Sequence, residues 1–541
     1  MGETGKKADT VRRTDFLDIA RGFKRLARDI YLILKWGVIS LVCLAVLVTV
    51  AAVVYDLVET LKLRPQRKAA EKRQILLSME RVANRHWAIP EKTNRGNYYG
   101  AAVSIIEVKG STPDDKALVP ILSRALTAQN SSDPRVAEAA KEYTRITDDP
   151  RLPVPDYMMA DAKAFLADKE IALRLVREAL DIAPAEGSYL QLTPRPVKFP
   201  TAYYRVDWNG YDTLLPHLTR LRAISRMLAV SAWVAAEEGR TADAMRDVRA
   251  GYAMGDSLGR EPGVISLLVS MACQSIAQSA FTRVAARNEI GSSDLEALQR
   301  DLEGQAENLT THFAYEGELA TVCDLVDEIG RGEKDIGYLL ELVENTHGEM
   351  EAQAGYSKMV KKVCAAMPAL YTRGYMKANE EFAIRYMLAL INQADNSTPE
   401  EMAQSLGKEH PLDRELQGSW LVLARGVLPA LGRVTVQTES NRVRLSAAAA
   451  GCAAMRYKND KGEWPETLEA LVPDYMAKVP VDPFTAKPLI YAKKDGGVVI
   501  YSVGENRKDD GGIGPGLGPK QPQDDVVRDD WGFMVWAKAG S

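Results

Sequence analysis

The sequence predicts a mainly α protein with a single transmembrane helix, a large α-helical domain and a small α+β module near the C-terminus. Three observations predict it. Twenty uncharged residues lie near the N-terminus, apolar residues recur at helical spacing through the middle of the chain, and two short alternating apolar runs follow towards the end. The 541 residues exceed one ordinary core. They divide into a basic amphipathic tail (1–35), the membrane helix (36–55), a juxtamembrane helix with a mixed region (56–156), the helical domain (157–430) and the α+β module (431–541).

Composition sets the class. Hydrophobic residues make up 46% and charged residues 26%, which is globular rather than disordered. A formal net charge of −4 offers no basic surplus for nucleic acid. The five cysteines (Cys43, Cys273, Cys323, Cys364, Cys452) are odd in number and lack CxxC spacing, so buried free thiols are expected rather than a disulfide framework. The five histidines are scattered singly, without an HExxH pattern, and give no local support to a zinc site.

The membrane helix is read from Trp36–Tyr55, bounded by Lys35 and Asp56. Twenty residues rising ~1.5 Å each span ~30 Å, the hydrocarbon thickness, and aromatic rings at both ends suit the interfaces. A buried soluble helix rarely runs so long without a charge, and a cleaved signal peptide would be shorter and end at small residues. The tail carries nine Lys/Arg against five Asp/Glu, but the exit side is basic too, with Lys62, Arg64, Arg67, Lys68, Lys72 and Arg73. Charge alone therefore leaves the orientation nearly balanced. Asp15–Lys35 reads as an amphipathic helix suited to the membrane surface, which makes lipid the first expected partner.

Past the membrane, Pro65 is expected to break the chain. Lys68–Asn84 reads as a charged helix with Ile75, Leu76, Met79 and Val82 as its apolar stripe, and Ala101–Val108 as a short strand. Residues 130–156 carry turn formers, Pro134, Pro150, Pro153 and Pro155 among them, around a short helix. Leu214–Glu238 and Thr241–Met254 form a helical pair about Glu238-Gly239-Arg240. With Ala242, Ala244 and Ala250 spaced along the second helix, this resembles a tetratricopeptide-type hairpin, although no 34-residue period recurs. Val264–Ala285 is nearly uncharged, but its serines and glutamines favour a buried core helix over a second span. Residues 195–210 are rich in Pro and aromatics and read as a loop folded onto the helices, with a binding rim as the alternative.

The module is read from ordered elements: an alanine-rich helix from Arg444 to about Tyr457, Gly462-Glu463-Trp464-Pro465, a helix at Glu466–Leu471, and VPVDPFTAKPLIY (Val479–Tyr491). VVIYSVGENRKDDGG (Val498–Gly512) and DDVV (Asp524–Val527) complete them. Leu489–Tyr491 and Val498–Tyr501 suit two strands joined by Gly496-Gly497, and the helix packed on this small sheet is expected to bury Leu445, Leu468, Leu471, Ile490 and Ile500. In that order these elements resemble the C-terminal domain of the major pseudopilin of type II secretion systems. The resemblance implies a bacterial inner-membrane protein with its large domain outside the cytoplasm. It also implies a calcium site, carried over to Asn506, Asp524 and Asp525, with Asp509 as an added candidate; hard oxygen donors are what that ion needs. Asn506 departs from the family's aspartate, and residues 513–523 form a longer insertion. The family's leader and its glutamate within the apolar run have no counterpart before or within Trp36–Tyr55, so assembly as a standard filament subunit is not expected.

Two functions remain in view. One is a non-enzymatic scaffold or binding protein with protein partners, associated with secretion or envelope assemblies. The other is an anchored hydrolase-like enzyme, for which His312 and Glu316, at i and i+4 on one helix face, form the best local pair. The chain holds no GxSxG, P-loop or dinucleotide fingerprint.

Overall fold

A computed structural model describes residues 4–86, 93–106, 141–142, 144–182, 189–190, 197–198, 202–331, 333–334, 369–417, 421–494, 496–512 and 530–536. The chain is mainly helical; its described residues form a short antiparallel pair, β1 (Tyr189–Leu190) with β2 (Val197–Lys198), and one small three-stranded antiparallel sheet. Compactness groups it into two units, Met1–Pro65 with Ile329–Glu381, and Gln66–Glu328 with Phe382–Ser541.

In the first unit, α1 (Thr4–Lys72) carries the apolar run. From Val38 onward it is long and apolar enough to cross a membrane, and only 6% of its most apolar window is buried. Its large apolar side chains, from Trp36 to Leu61, stand exposed, as a lipid-facing helix requires and a soluble core helix does not. The exception is one short face. Tyr55 packs over Gly374 of α11 (Ala369–Asn396), where a Cβ would fall 2.5 Å from the ring. Lys377 Nζ donates to Asp56 Oδ1 and Thr60 Oγ1, both at 2.8 Å. Pro65 does not break the chain: α1 continues through it to Lys72, losing one intrahelical N–H but not the helix.

In the second unit the expected Lys68–Asn84 helix is two helices. The chain turns at Gln74 (φ +60°) and restarts as α2 (Met79–His86). Side chains of α10 (His312–Arg331) explain the restart: Asp324 Oδ2 accepts from Met79 N, an amide that a helix start leaves unpaired, and Glu316 Oε1 accepts from Leu76 N in the turn before it, both at 2.7 Å. Ile75, Met79 and Val82 are buried as the stripe requires, and Leu76 is half-buried. The strand expected at Ala101–Val108 is instead the end of helix α3 (Gly96–Ile105), with residues 107 and 108 outside the described residues. The six apolar or small residues at its start fit either period, and the buried set, Tyr99, Ala102, Val103 and Ile106, has helical spacing. Pro134 lies outside the described residues, while Pro155 caps α4 (Asp156–Asp168), which leads to α5 (Glu170–Leu180).

The helical pair forms α6 (Pro216–Glu237) and α7 (Thr241–Leu258), turning at Gly239 with φ +73°. Ala244 and Ala250 are buried, but Ala242 is exposed and takes no part in the crossing. Helix α8 (Val264–Arg287) is the expected core helix, with 56% of its most apolar window buried. It lies close to α7, with Ser270 Oγ donating to Gly255 O at 2.6 Å. Arg283, 1% exposed, is held by Glu237 Oε1 at 2.8 Å and by the Ile146 and Leu152 carbonyls. Of the aromatic stretch, residues 202–210 fold onto these helices: Ala202, Tyr204 and Val206 are buried, and Tyr204 stacks on His217 and shares a 2.7 Å hydrogen bond with Ser257, whereas Val197–Lys198 is a short strand and residues 195–196 and 199–201 lie outside the described residues. Helices α9 (Ser292–Asn308), α12 (Pro399–Ser405) and α13 (Pro411–Gln417) complete the surround.

The C-terminal elements belong to this same unit. The alanine-rich segment is the second half of one long helix, α14 (Val422–Lys461), closed by Gly462 at φ +82°. The helix expected at Glu466–Leu471 is a single 3-10 turn, Leu468–Leu471. Strands β3 (Ile490–Lys494) and β4 (Gly497–Ser502) pair antiparallel through a turn at Gly496, and β4 pairs with β5 (Trp531–Val535). Leu445, Leu468, Leu471 and Ile500 are buried, whereas Ile490 is half-buried on the edge strand and Leu489 takes the inner place. The motif residues do structural work: Asp482 Oδ1 accepts from Phe484 N and Ser502 Oγ at 2.8 Å, and Trp464 Nε1 donates to Gly496 O. The sheet packs against α8 through Phe533 on Phe281 and through a cluster of Ala286, Val499, Tyr501, Met534 and Trp536.

Candidate functional site

The expected calcium loop is described in part. Asn506 Oδ1 accepts from Lys508 N at 2.8 Å, and its Nδ2 donates to Asp510 Oδ2 at 3.1 Å. Asp509 Oδ1 accepts from Tyr501 Oη at 2.9 Å and Gly511 N at 2.8 Å. Burial, and then Asp509, push the Tyr501 hydroxyl well above its usual range, so it stays a donor. Asp524 and Asp525 lie outside the described residues. Sequence reading missed Asp530, which is fully buried and whose Oδ2 accepts from Gly512 N at 2.9 Å. Among the described residues no group of three or more His, Cys, Asp or Glu is arranged to hold a metal ion. Cys273, Cys323 and Cys452 are buried free thiols, Cys43 is exposed, and Cys364 lies outside the described residues.

His312 and Glu316 share a helix but have different partners. Glu316, 1% exposed, takes Arg85 through both oxygens at 2.6 and 3.0 Å. His312 pairs instead with Asp395, Nδ1 to Oδ2 at 2.7 Å, and its buried Nε2 has no hydrogen-bond partner. An imidazole oriented by a carboxylate is half of a base–nucleophile arrangement, but among the described residues no hydroxyl or thiol stands within hydrogen-bond reach of Nε2.

The most developed site is a cavity of about 460 Å³ between α8, α14 and β5. Helix α14 presents Arg433, Val436, Gln437, Ser440, Asn441 and Arg444 to it, at spacings of three and four that define one helix face. Helix α8 presents Leu268, Met271, Ala272 and Ser275 by the same periodicity. Trp531, at the start of β5, and Glu505 complete the lining.

Arg444 sets the electrostatics. Its guanidinium carbon lies 4.3 Å from the centre of the Trp531 ring, so one face is covered by an indole. Burial pushes its pKa down to about 10, against a weaker upward pull from Tyr252. It makes no hydrogen bond or ion pair with any described residue. Its neighbours differ. Arg442 is met by Glu439 and by the Ala306 and Leu309 carbonyls, and Arg283 by Glu237 and two carbonyls. A desolvated cation that lines a cavity without a counter-ion among the described residues is an anion receptor, because guanidinium matches a planar or tetrahedral oxyanion with two parallel hydrogen bonds. Ser275 and Ser440 add hydroxyls to the lining, and Ser440 Oγ donates to Val436 O at 3.0 Å. A faint sequence signal was present: Arg433, Gln437, Ser440, Asn441 and Arg444 share a face immediately before the alanine run. The opposing apolar face of α8 and the distant Trp531 could not be added without the fold. Compared with protein-family models, with curated proteins and with solved structures, the chain matches none.

Proposed function

We propose that this chain is a membrane-anchored binding protein whose ligand site is the cavity at Arg444. One observation carries the reading: a largely buried arginine, stacked on Trp531 and unmatched by any described anion, faces an open cavity. Such a cation is costly to bury unless an anion completes it. In this reading the apolar run of α1 anchors the chain in a bacterial inner membrane, residues 1–35 lie on the cytoplasmic side, and the large helical unit stands outside. The pseudopilin-like sequence of the C-terminal elements supports that orientation and an association with secretion or envelope assemblies through protein partners. Calcium held by Asn506, Asp509, Asp524 and Asp525 would tie down the last loop. A second reading, a hydrolase-like enzyme in the helical domain, is favoured only by the oriented imidazole of His312.

The test is the melting temperature of the full chain in lipid nanodiscs against a panel of small organic and inorganic anions. At least one anion should raise it in the parent and leave Arg444→Gln unmoved. A panel without effect on the parent overturns the binding reading.

A further inference from the structure

We propose that the cavity between α8, α14 and β5 binds a short peptide by its free C-terminal carboxylate, with Arg444 as the carboxylate's partner. This rests on the reading of the cavity as a binding site and names its ligand class.

Three features of the lining select that class. The first is charge. The Trp531 ring lies 4.3 Å from the Arg444 guanidinium carbon, and Arg444, a cation without a hydrogen-bond partner among the described residues, lines the cavity, where a carboxylate would meet it with two parallel hydrogen bonds. Arg433 and Glu505 line the same cavity with opposite charges, so the lining keeps one positive charge in excess, which a monoanion balances and a dianion such as phosphate exceeds.

The second is the hydrogen-bonding lining. Asn441, 2% exposed, donates through Nδ2 to Gln274 Oε1 at 2.7 Å, and Gln274 in turn donates to Gln305, so the amide is fixed in one orientation. Its Oδ1 accepts no hydrogen bond from the described residues and belongs to a residue of the cavity lining. Asn441 and Arg444 are three residues apart, so their Cβ atoms lie ~5–6 Å apart on one face. An acceptor and a cation at that separation match the backbone N–H and the terminal carboxylate of a peptide's last residues. A fatty carboxylate brings no donor for Asn441.

The third is the apolar wall. Leu268, Met271 and Val436 offer a side chain an apolar seat, and about 460 Å³ falls within the ~300–1,000 Å³ typical of small-ligand pockets.

The experiment is calorimetric titration of the full chain in lipid nanodiscs. The probes are N-acetyl dipeptide acids ending in Leu, Phe, Ala or Ser, the matching C-terminal amides, hexanoate and inorganic phosphate. At least one acid should bind ten times more tightly than its amide, and Arg444→Gln should remove that preference. Because the substitution deletes an unmatched, largely buried cation, the unliganded melting temperature should not fall; if Arg444→Gln fails to fold, Arg444→Lys and the acid-to-amide ratio in the parent still decide. Acids and amides binding the parent equally would overturn the carboxylate assignment. Hexanoate or phosphate binding through Arg444 while no peptide binds would overturn the peptide class and leave the cavity a binding site. No probe binding at all would overturn both.

Discussion

Phe281 of α8 and Phe533 of β5 stack with ring centroids 4.9 Å apart and planes within 6° of parallel. Both are fully buried, and Gly451 of α14 lies against the same Phe533 ring, where a Cβ would approach to 2.7 Å. Three elements far apart in sequence therefore meet at one side chain. Phe533→Ala should destabilise the second unit by about 3–5 kcal/mol, the range for deleting a buried aromatic. Gly451→Ala should cost about 1–3 kcal/mol by overpacking. Denaturant unfolding of the full chain measures both. A loss of only the C-terminal strand, with the helices unfolding as before, would mean that the sheet is an appendage.

A second prediction concerns Glu237. Its two oxygens hold Arg283 at 2.8 Å and Arg287 at 3.0 Å, and Arg283 has almost no solvent contact. Removing one member of a buried pair strands the other's charge, so Glu237→Ala should cost about 3–5 kcal/mol. Glu237→Gln keeps an acceptor and should cost less. Equal losses in the two variants would show that shape, not charge, holds the site.

These packing relations mark where sequence reading stopped. Helix α8 was legible because its uncharged run is interrupted by serines and glutamines, some of which, such as Ser270 and Gln274, now hydrogen-bond inside the core. The β3–β4 hairpin was legible from Gly496 and the alternation on either side. Pro65 misled because a proline costs one hydrogen bond, which a long helix can absorb. Residues 101–106 misled because a short apolar run has no decisive period until its partners, here Tyr99 and Gly96 beneath Tyr203, are known. The Arg444 site was invisible in outline because its indole lies 87 residues further along the chain and its apolar wall more than 150 residues before it.

The third prediction is a pH dependence at His410. Burial holds its imidazole below the ordinary value of 6.5, although Asp413 pulls upward, and its Nδ1 accepts from Leu412 N at 3.2 Å. A depressed folded-state value means that the unfolded chain binds more protons in that interval. The contribution is therefore fully present above pH 6.5 and is lost progressively as pH falls from there through the lowered value. His410→Asn keeps an acceptor and removes the titration. Melting curves between pH 7.5 and 5.5 should fall more steeply for the parent than for the variant, and parallel curves would refute the assignment.

The fourth prediction concerns the anchor. The large apolar residues from Trp36 to Leu61 stand exposed, so the full chain should remain with membranes after carbonate washing. A chain beginning at Gln66 should appear in the soluble fraction. Protease added outside spheroplasts should digest the large unit and spare residues 1–35. Protection of the large unit would reverse the proposed orientation, and full-length protein in the soluble fraction would remove the anchor altogether.

The last prediction concerns calcium. Asp509 and Asn506 already spend an oxygen each on the backbone of their own loop, on Gly511 N and Lys508 N, which fixes where their remaining acceptor capacity stands. The buried Asp530, just before β5, stands beside this loop, with Asp510 N 3.4 Å from its Oδ1. Carboxylates gathered this closely repel one another, and a divalent cation that drew in Asp524 and Asp525 would relieve that repulsion. An ion bound only by the folded state stabilises it by mass action, about 2.7 kcal/mol at a hundredfold excess over Kd. The melting temperature of the full chain should therefore rise with millimolar calcium relative to chelator, and the rise should vanish in the Asp524→Ala, Asp525→Ala double variant. Magnesium, which is smaller and holds its water more firmly, should give less. If calcium leaves the parent unchanged, the local hydrogen bonds of Asn506 and Asp509 suffice to hold the loop, and these residues shape a turn rather than a metal site.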